Sequence, residues 1–247
     1  MISQVFTLSS RLFPMKSFLK ILLFVLLITS QLGYGQNSKK QKDPFKDPYA
    51  NPVDAAGLPR VLIIGDSISI GYTPRVRRHL DGIANVHRPT TNCRWSAFGD
   101  EHIDEWLGDS KWDVIHFNFG LWDWYGWSQE EKATPESYAK SLESIVQKMK
   151  AKTDATLIFA ITTPPCVGPE KKVKFVISEQ RAKEFNNAAR AVMEKHDVRI
   201  NNLYDAVGKN RERLQRGADD VHYTEKGRDV LAEKVTAEIK APLRPEE

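Results

Sequence analysis

The sequence predicts an α/β fold in three layers, with a five-stranded parallel sheet between two layers of helices. Five short apolar runs alternate with amphipathic helical patterns from Arg60 to about Pro242. The runs are Val61–Ile64, the residues around Val86, Val114–Phe119, Thr156–Ile161 and Val198–Ile200. Such runs, joined by helices, are typical of parallel strands that are buried on both faces of a sheet. In sheets of this kind the ligand site lies at the carboxyl ends of the strands.

Several helices are predicted from residues that favour a helix N-terminus. Thr134-Pro135-Glu136 has the order of a cap, a first-position proline and a first-turn acid. Ser178 and Thr224 precede two further segments whose apolar residues recur at helical spacing. Another helix is expected over Asp100–Leu107. These elements place one folded domain at residues 60–242.

The N-terminal residues 1–35 are predicted to be a secretory signal peptide. An unbroken apolar run at 21–28 follows three basic residues, and Gly33 and Gly35 lie where a signal peptidase reads small side chains. The run is short for a permanent membrane span, although an uncleaved anchor is the alternative. We expect cleavage after Gly35 and a secreted or periplasmic protein without stable membrane insertion. Met15 is an alternative start of translation.

Charge and composition restrict the function classes. Removal of the three basic residues of the signal peptide lowers the formal net charge from +4 to +1. A chain without a basic excess gives no reason to expect a nucleic-acid partner. Residues 36–59 contain four prolines and alternating Lys and Asp without periodicity, so they are predicted to be a flexible polar linker. Residues 243–247 are a short tail.

Cysteine and histidine usage gives no metal-site pattern. The two cysteines, Cys93 and Cys166, and the six histidines do not occur at ligand spacing. We therefore expect no metal. An oxidising compartment would permit a disulfide between the two cysteines, and two small buried thiols are the alternative.

Ser67 is the first candidate for a chemical role. It follows the buried run Val61–Ile64 and the pair Gly65-Asp66, at the carboxyl edge of the predicted sheet. A helix is expected to begin there, and its free N–H groups favour an anion. A serine needs a neighbouring base to become a strong nucleophile. The alternative is that Ser67 only caps that helix.

His222 is the candidate base. It follows Asp219 and Asp220 immediately ahead of the last predicted helix. An aspartate three residues before a histidine can fold back to the imidazole Nδ1–H, which leaves Nε2 free to accept a proton. Asp219 is therefore the predicted partner. A solvated acidic turn with a surface histidine is the alternative.

Together, Gly-Asp-Ser after the first strand and Asp-x-x-His before the last helix resemble the SGNH (GDSL) hydrolase superfamily. The resemblance extends over essentially the whole predicted domain. It implies a flavodoxin-like three-layer fold and a catalytic triad of Ser67, His222 and Asp219. The serine acyl-transfer chemistry that the resemblance implies needs no cofactor. Esterases, lipases and acetylesterases that act on polysaccharides belong to this superfamily.

The resemblance also implies an oxyanion hole, in which two family blocks match less well. Gly99 is the counterpart of the family glycine whose N–H, with that of Ser67, helps to hold the oxyanion. The family block Gly-x-Asn-Asp reads Gly120-Leu121-Trp122-Asp123 here, so an indole replaces the donor asparagine. We predict that Asn92, after the second strand, supplies the missing donor. An ordinary turn residue is the alternative.

Trp122 belongs to an aromatic cluster that also contains Trp124, Tyr125 and Trp127. Such a cluster at the carboxyl edge can form a platform for sugar rings, or it can pack the loop onto the domain. Trp122, Asp123 and Trp124 are the predicted substrate contacts. His116 and Asn118 lie within an apolar strand and are predicted to be hydrogen-bonded core residues.

These observations predict an exported serine hydrolase that cleaves ester bonds of a small molecule or a polysaccharide, with O-acetylated carbohydrates among the candidate substrates. One alternative is a hydrolase of another bond, such as a glycosidic bond, on the same scaffold. The other is a non-catalytic carbohydrate-binding protein.

Overall fold

The computed structural model describes residues 43–127, 129, 132–165, 179–217 and 220–243. Five parallel strands form one sheet in the order β2-β1-β3-β4-β5. The strands are β1 (Arg60–Ile64), β2 (Asn85–His87), β3 (Val114–Phe117), β4 (Thr156–Ala160) and β5 (Arg199–Asn201). Val61–Ile64 of β1 are at most 2% exposed, as expected for a strand covered on both faces. The predicted fold class is confirmed.

Helices cover the sheet in two groups. They are α1 (Ser67–His79), α2 (Ser96–Leu107), α3 (Leu121–Tyr125), α4 (Pro135–Lys152), α5 (Glu179–Lys195), α6 (Leu203–Val207), α7 (Arg211–Leu214) and α8 (Glu225–Lys240), with a 3-10 turn at Gly208–Asn210. Helix α1 packs on α8, while α4 packs on both α2 and α5. A short antiparallel hairpin of β6 (Gln215–Gly217) and β7 (Asp220–Tyr223) precedes α8.

Two of the predicted helix caps are present. Thr134 Oγ1 accepts a hydrogen bond from Ser137 N at 3.2 Å, and Ser137 Oγ accepts one from Thr134 N at 2.9 Å. This reciprocal pair satisfies two N–H groups at the start of α4. Thr224 Oγ1 accepts from Gly227 N at 3.2 Å and caps α8 with this single hydrogen bond. Ser178 lies outside the described residues.

Helix α2 begins four residues before the predicted Asp100, at Ser96. Trp95 at the cap position makes no side-chain hydrogen bond to the helix. Instead, the Asp123 carboxylate accepts from Ser96 N at 3.1 Å and from Ser96 Oγ at 2.6 Å. A carboxylate at a helix N-terminus satisfies free N–H groups and is favoured by the helix dipole. The cap is therefore supplied by a residue of α3.

The predicted flexible linker is wrong for residues 44–59, which we call the N-terminal strap. The strap belongs to one compact unit that begins at Pro44. The buried guanidinium of Arg77 donates to Asp47 O at 3.2 Å, to Ala50 O at 3.1 Å and to Asn51 Oδ1 at 2.7 Å. Because a buried arginine needs acceptors for its N–H groups, these contacts hold the strap against the domain.

Other sequence predictions fall outside the described residues. These are the signal peptide, residues 36–42 of the linker, Cys166 and the last four residues of the tail. Cys93 is a buried free thiol, and burial raises its pKa to about 12. Within the described ranges, no helix combines the length and the apolar character that a membrane crossing requires.

Gly99 allows α2 to approach the connection after β3. A Cβ atom at this position would lie 2.4 Å from Cζ of Phe119, a ring that is itself buried. Gly99→Ala is expected to lower the free energy of unfolding by about 1–3 kcal/mol, because the added methyl group overpacks the core. Chemical denaturation measures this change. Gly217→Ala is the control, since a Cβ atom there would have no neighbour within 4 Å; an equal loss in both variants would contradict the steric explanation.

Candidate active site

The turn from β1 into α1 places Ser67 at the carboxyl edge of the sheet. Asp66 is the cap residue of α1, and its Oδ1 accepts a hydrogen bond from Ile68 N at 2.9 Å. Ser67 is therefore the first residue of the helix, where backbone N–H groups lack acceptors within the helix. Burial raises the pKa of Asp66 to about 6, while its hydrogen bonds and the nearby His222 and Arg88 act in the opposite direction.

His222 meets Ser67 across the edge of the sheet. Its Nε2 lies 2.9 Å from Ser67 Oγ, although the two residues are 155 positions apart in the chain. Strand β7 carries His222, and α8 follows it and packs on α1. Arg75 of α1 also forms ion pairs with Glu225 and Asp229 of α8. These contacts keep the two helices, and so the two side chains, in a fixed relation.

The carboxylate beside His222 belongs to Asp220. Asp220 Oδ1 lies 2.5 Å from His222 Nδ1 and also accepts from the His222 backbone N at 2.9 Å. Partial burial raises the pKa of Asp220, but the hydrogen bonds from His222 and the charges of His222 and Arg216 bring it below its ordinary value. Asp219, the predicted partner, lies outside the described residues. Residues two apart in a strand share a face, which explains why Asp220 reaches the ring.

The structure contradicts the prediction that the Gly99 N–H is free to hold an oxyanion. That N–H donates to Trp95 O at 3.0 Å within α2. The prediction placed Gly99 ahead of the helix, whereas Gly99 lies in its first turns. A donor that is already used by the helix cannot also bind a substrate atom without breaking the helix.

Asn92 lies on the loop between β2 and α2. Its Oδ1 accepts a hydrogen bond from Arg94 N at 3.0 Å, which forms a local turn and orients the side-chain amide. This turn uses the oxygen of the amide and not its nitrogen. Arg94 has a φ of 55°, an uncommon left-handed conformation for an arginine. The role of Asn92 as an oxyanion donor stays a prediction.

The three predicted substrate contacts have different positions. Trp122 is partly exposed, and its Nε1 is buried without a hydrogen-bond partner among the described residues. Asp123 is 1% exposed and Trp124 is 2% exposed, so neither side chain faces solvent. Burial raises the pKa of Asp123 to about 6. Direct contact of Asp123 or Trp124 with substrate is therefore contradicted, because α3 turns both side chains inward.

Two residues that the sequence analysis did not assign, Trp95 and Phe98, extend the aromatic cluster around Trp122 into an aromatic face. We define it as Trp95, Phe98, Trp122 and Trp127, all partly buried. The Trp122 ring centroid lies 6.1 Å from that of Trp95 and 5.6 Å from that of Trp127. Trp95 in turn lies 5.5 Å from Phe98. The signal in the sequence is the spacing of Trp95 and Phe98, which brings the cap residue and the first turn of α2 together.

His116 and Asn118 lie in the interior, as predicted. Asn118 Nδ2 donates to Ala160 O at 2.7 Å and to Thr162 Oγ1 at 3.1 Å. His116 is fully buried, which lowers its pKa to about 3, and its Nε2 lies 3.0 Å from Asn201 Nδ2. Across the part of the chain that the structure describes, no group of three or more His, Cys, Asp or Glu side chains is placed to hold a metal ion.

One protein-family model matches most of the folded domain. The model described as the GDSL-like Lipase/Acylhydrolase family matches residues 63–230. The matched range begins within β1 and ends within α8, so it includes both Ser67 and His222. No curated protein matches the sequence.

Solved structures with the same fold include three named as esterases or acylhydrolases. A lipase/acylhydrolase from Enterococcus faecalis is 20% identical, with a TM-score of 0.59 over 77% of this chain and 100% of its own. An acetyl xylan esterase is 17% identical, with a TM-score of 0.60 over 73% and 99%. A carbohydrate acetylesterase from Sinorhizobium meliloti is 15% identical, with a TM-score of 0.60 over 74% and 99%. At these identities the likeness concerns the fold.

Proposed function

Since this chain belongs to the GDSL-like lipase/acylhydrolase family, we propose that it is a serine hydrolase that cleaves ester bonds with a triad of Ser67, His222 and Asp220. The observation that carries the proposal is the continuous hydrogen-bonded series of these three side chains. Ser67 Oγ lies 2.9 Å from His222 Nε2, and His222 Nδ1 lies 2.5 Å from Asp220 Oδ1. This is the arrangement in which a histidine can accept the proton of a serine nucleophile.

In the first half of the reaction, Ser67 Oγ attacks the ester carbonyl carbon while His222 Nε2 accepts the hydroxyl proton. Asp220 keeps the proton of the neutral ring on Nδ1 and stabilises the imidazolium that forms. The tetrahedral intermediate collapses, the C–O bond to the alcohol breaks, and His222 returns the proton to the leaving oxygen. Water then attacks the acyl carbon while His222 Nε2 accepts its proton. The bond between the acyl carbon and Ser67 Oγ breaks, His222 returns the proton to Ser67 Oγ, and the carboxylic acid leaves.

Charge on the carbonyl oxygen requires donors at the site. The Ser67 N–H belongs to the first turn of α1, where N–H groups have no acceptor within the helix. We propose the Asn92 Nδ2 amide as the second donor, because the turn with Arg94 uses only its Oδ1. Such preorganised donors stabilise the transition state more than the ground state.

The substrate class that we propose is an O-acetylated carbohydrate. Two solved structures of the same fold are named as an acetyl xylan esterase and a carbohydrate acetylesterase. The residues of the aromatic face follow the carboxyl ends of β2 and β3, which is the edge of the sheet that carries Ser67. Their rings offer apolar surface on which a sugar ring can stack. We also propose that the protein is exported, because the apolar run at 21–28 precedes small residues at Gly33 and Gly35.

The mechanism predicts covalent labelling of Ser67 by a fluorophosphonate, together with acetate release from acetylated polysaccharides. Ser67→Ala is expected to abolish both, because the other triad members cannot replace the nucleophile. Peptide mass spectrometry locates the label, and an acetate assay measures hydrolysis. Ser110→Ala, at an exposed serine ahead of β3, is the control that keeps both. Normal hydrolysis by Ser67→Ala would rule out the serine mechanism and favour another chemistry.

Asp220 and Asp219 can be distinguished by matched substitutions. Asp220→Asn is expected to lower kcat by about 10³–10⁴-fold, since the amide no longer holds the required tautomer of the histidine. Asp219→Asn is expected to leave kcat within about tenfold, because the proposed triad contact with Nδ1 belongs to Asp220, while the substitution removes the same charge. Steady-state kinetics with a soluble acetyl ester measures both. The reverse order of effects would assign the triad carboxylate to Asp219.

The Asn92 donor can be separated from its local turn. Asn92→Asp keeps an oxygen that can accept from Arg94 N, whereas Asn92→Ala removes the whole amide. Both are expected to lower kcat by about 10²–10³-fold with little change in KM, as for a contact made mainly in the transition state. Trp122→Ala is expected mainly to raise KM. Intact kcat in both Asn92 variants and a collapse in Trp122→Ala would make the indole N–H the donor.

A further inference from the structure

Arg88 is a buried cation at the edge of the site that the proposed mechanism does not use. It follows β2 directly and is 1% exposed. Placing a guanidinium in the interior is costly unless each of its five N–H groups finds an acceptor. The acceptors that it contacts therefore indicate what the side chain holds in place.

Among the residues that the structure describes, the acceptors of Arg88 are all neutral. They belong to the turn Gly65-Asp66 between β1 and α1, which we call the nucleophile turn, to α1 and to the loop after β2. The Nε of Arg88 donates to Pro89 O at 3.2 Å. One terminal nitrogen donates to Ser69 Oγ at 3.2 Å and to Thr73 Oγ1 at 3.4 Å. The other terminal nitrogen donates to Gly65 O at 3.3 Å and to Thr91 O at 3.2 Å. The number of contacts equals the number of N–H groups, so the buried guanidinium is fully hydrogen-bonded.

The directions of the neighbouring hydrogen bonds agree with this assignment. Ser69 Oγ donates its own proton to Asp66 O at 2.7 Å, and Thr73 Oγ1 donates to Ser69 O at 2.7 Å. Each hydroxyl proton is thus used, and the remaining lone pairs can accept from Arg88. Gly65 O accepts both from Arg88 and from Cys93 N, at 3.3 Å in each case.

We propose that Arg88 is a positioning residue that joins the nucleophile turn to the loop carrying Asn92. The inference rests on the proposed function. The guanidinium binds the backbone two residues before Ser67 and the side chain two residues after it. It also binds Thr91 O, the carbonyl next to Asn92. Because the donor fork of arginine is planar and rigid, it sets the distance between the nucleophile and the proposed oxyanion donor.

Arg77 provides a matched comparison within the same chain. It is 2% exposed, and it donates to Val86 O at 3.0 Å and to the N-terminal strap, but to no atom of the nucleophile turn. Both arginines are buried, donate to neutral oxygens of the described residues and border β2. A general cost of disturbing a buried arginine would therefore affect both, whereas loss of positioning would affect Arg88 alone.

The test compares Arg88→Lys with Arg77→Lys in the full chain. Lysine keeps the charge but lacks the planar fork. Both variants are expected to unfold at lower denaturant concentration. Arg88→Lys is expected to lower kcat for 4-nitrophenyl acetate by about 10–100-fold, because small misplacements of reacting groups slow catalysis. The rate of Ser67 labelling by a fluorophosphonate is expected to fall by the same factor of about 10–100, while KM stays within about twofold. Arg77→Lys is expected to keep wild-type kcat.

Each result decides a different point. Wild-type kcat and labelling in folded Arg88→Lys, or equal losses in both variants, would overturn the positioning role. If Arg88→Lys does not fold, Thr73→Val replaces it, since it removes one acceptor of Arg88; we expect a several-fold loss of kcat, and an unchanged kcat would overturn the proposal. Absence of labelling and hydrolysis in the wild-type protein would instead overturn the proposed function, and this inference with it.

Discussion

The hydrogen bond from Ile68 N to the Asp66 carboxylate, 2.9 Å long, caps α1 and fixes where the helix begins after β1. The strand before it is buried on both faces, so its end lies at the edge of a packed sheet. Capping at Asp66 makes Ser67 the first helical residue. The hydroxyl is thereby held at the carboxyl edge, next to unpaired helix N–H groups. Burial of Asp66 opposes its ionised form, and its N–H donor and the nearby Arg88 and His222 favour that form.

The remaining parts of the site depend on how the layers pack around that turn. Helices α1 and α8 lie against each other, and the hairpin before α8 brings His222 to Ser67. The loop after β2 approaches from the other side, where Cys93 N donates to Gly65 O. The site therefore combines three separate stretches of chain, each positioned by backbone or buried side-chain hydrogen bonds.

Not every polar group at this edge is available to a ligand. Asp123 is used to cap α2, and the Asn118 amide is used by Ala160 O and Thr162. The Gly99 N–H is used within α2. A buried polar group that already has partners loses free energy if it exchanges them for a substrate. The chemistry that remains accessible is consequently concentrated at Ser67 and His222 and at the loops beside them.

The sequence by itself determined the parallel α/β fold and the caps of α4 and α8, because local patterns encode these features. It also placed Ser67 after the first strand and His222 before the last helix, and the family resemblance implied that the two belong to one site. Only the tertiary structure decided that α2 starts at Ser96, since its cap is a carboxylate 27 residues away. That earlier start removed Gly99 from the oxyanion donors. The strap was misjudged for the same reason: the acceptors that it offers Arg77 lie 26 to 30 residues away. Hydrogen bonds between distant segments form only after the layers pack, so no local pattern encodes them.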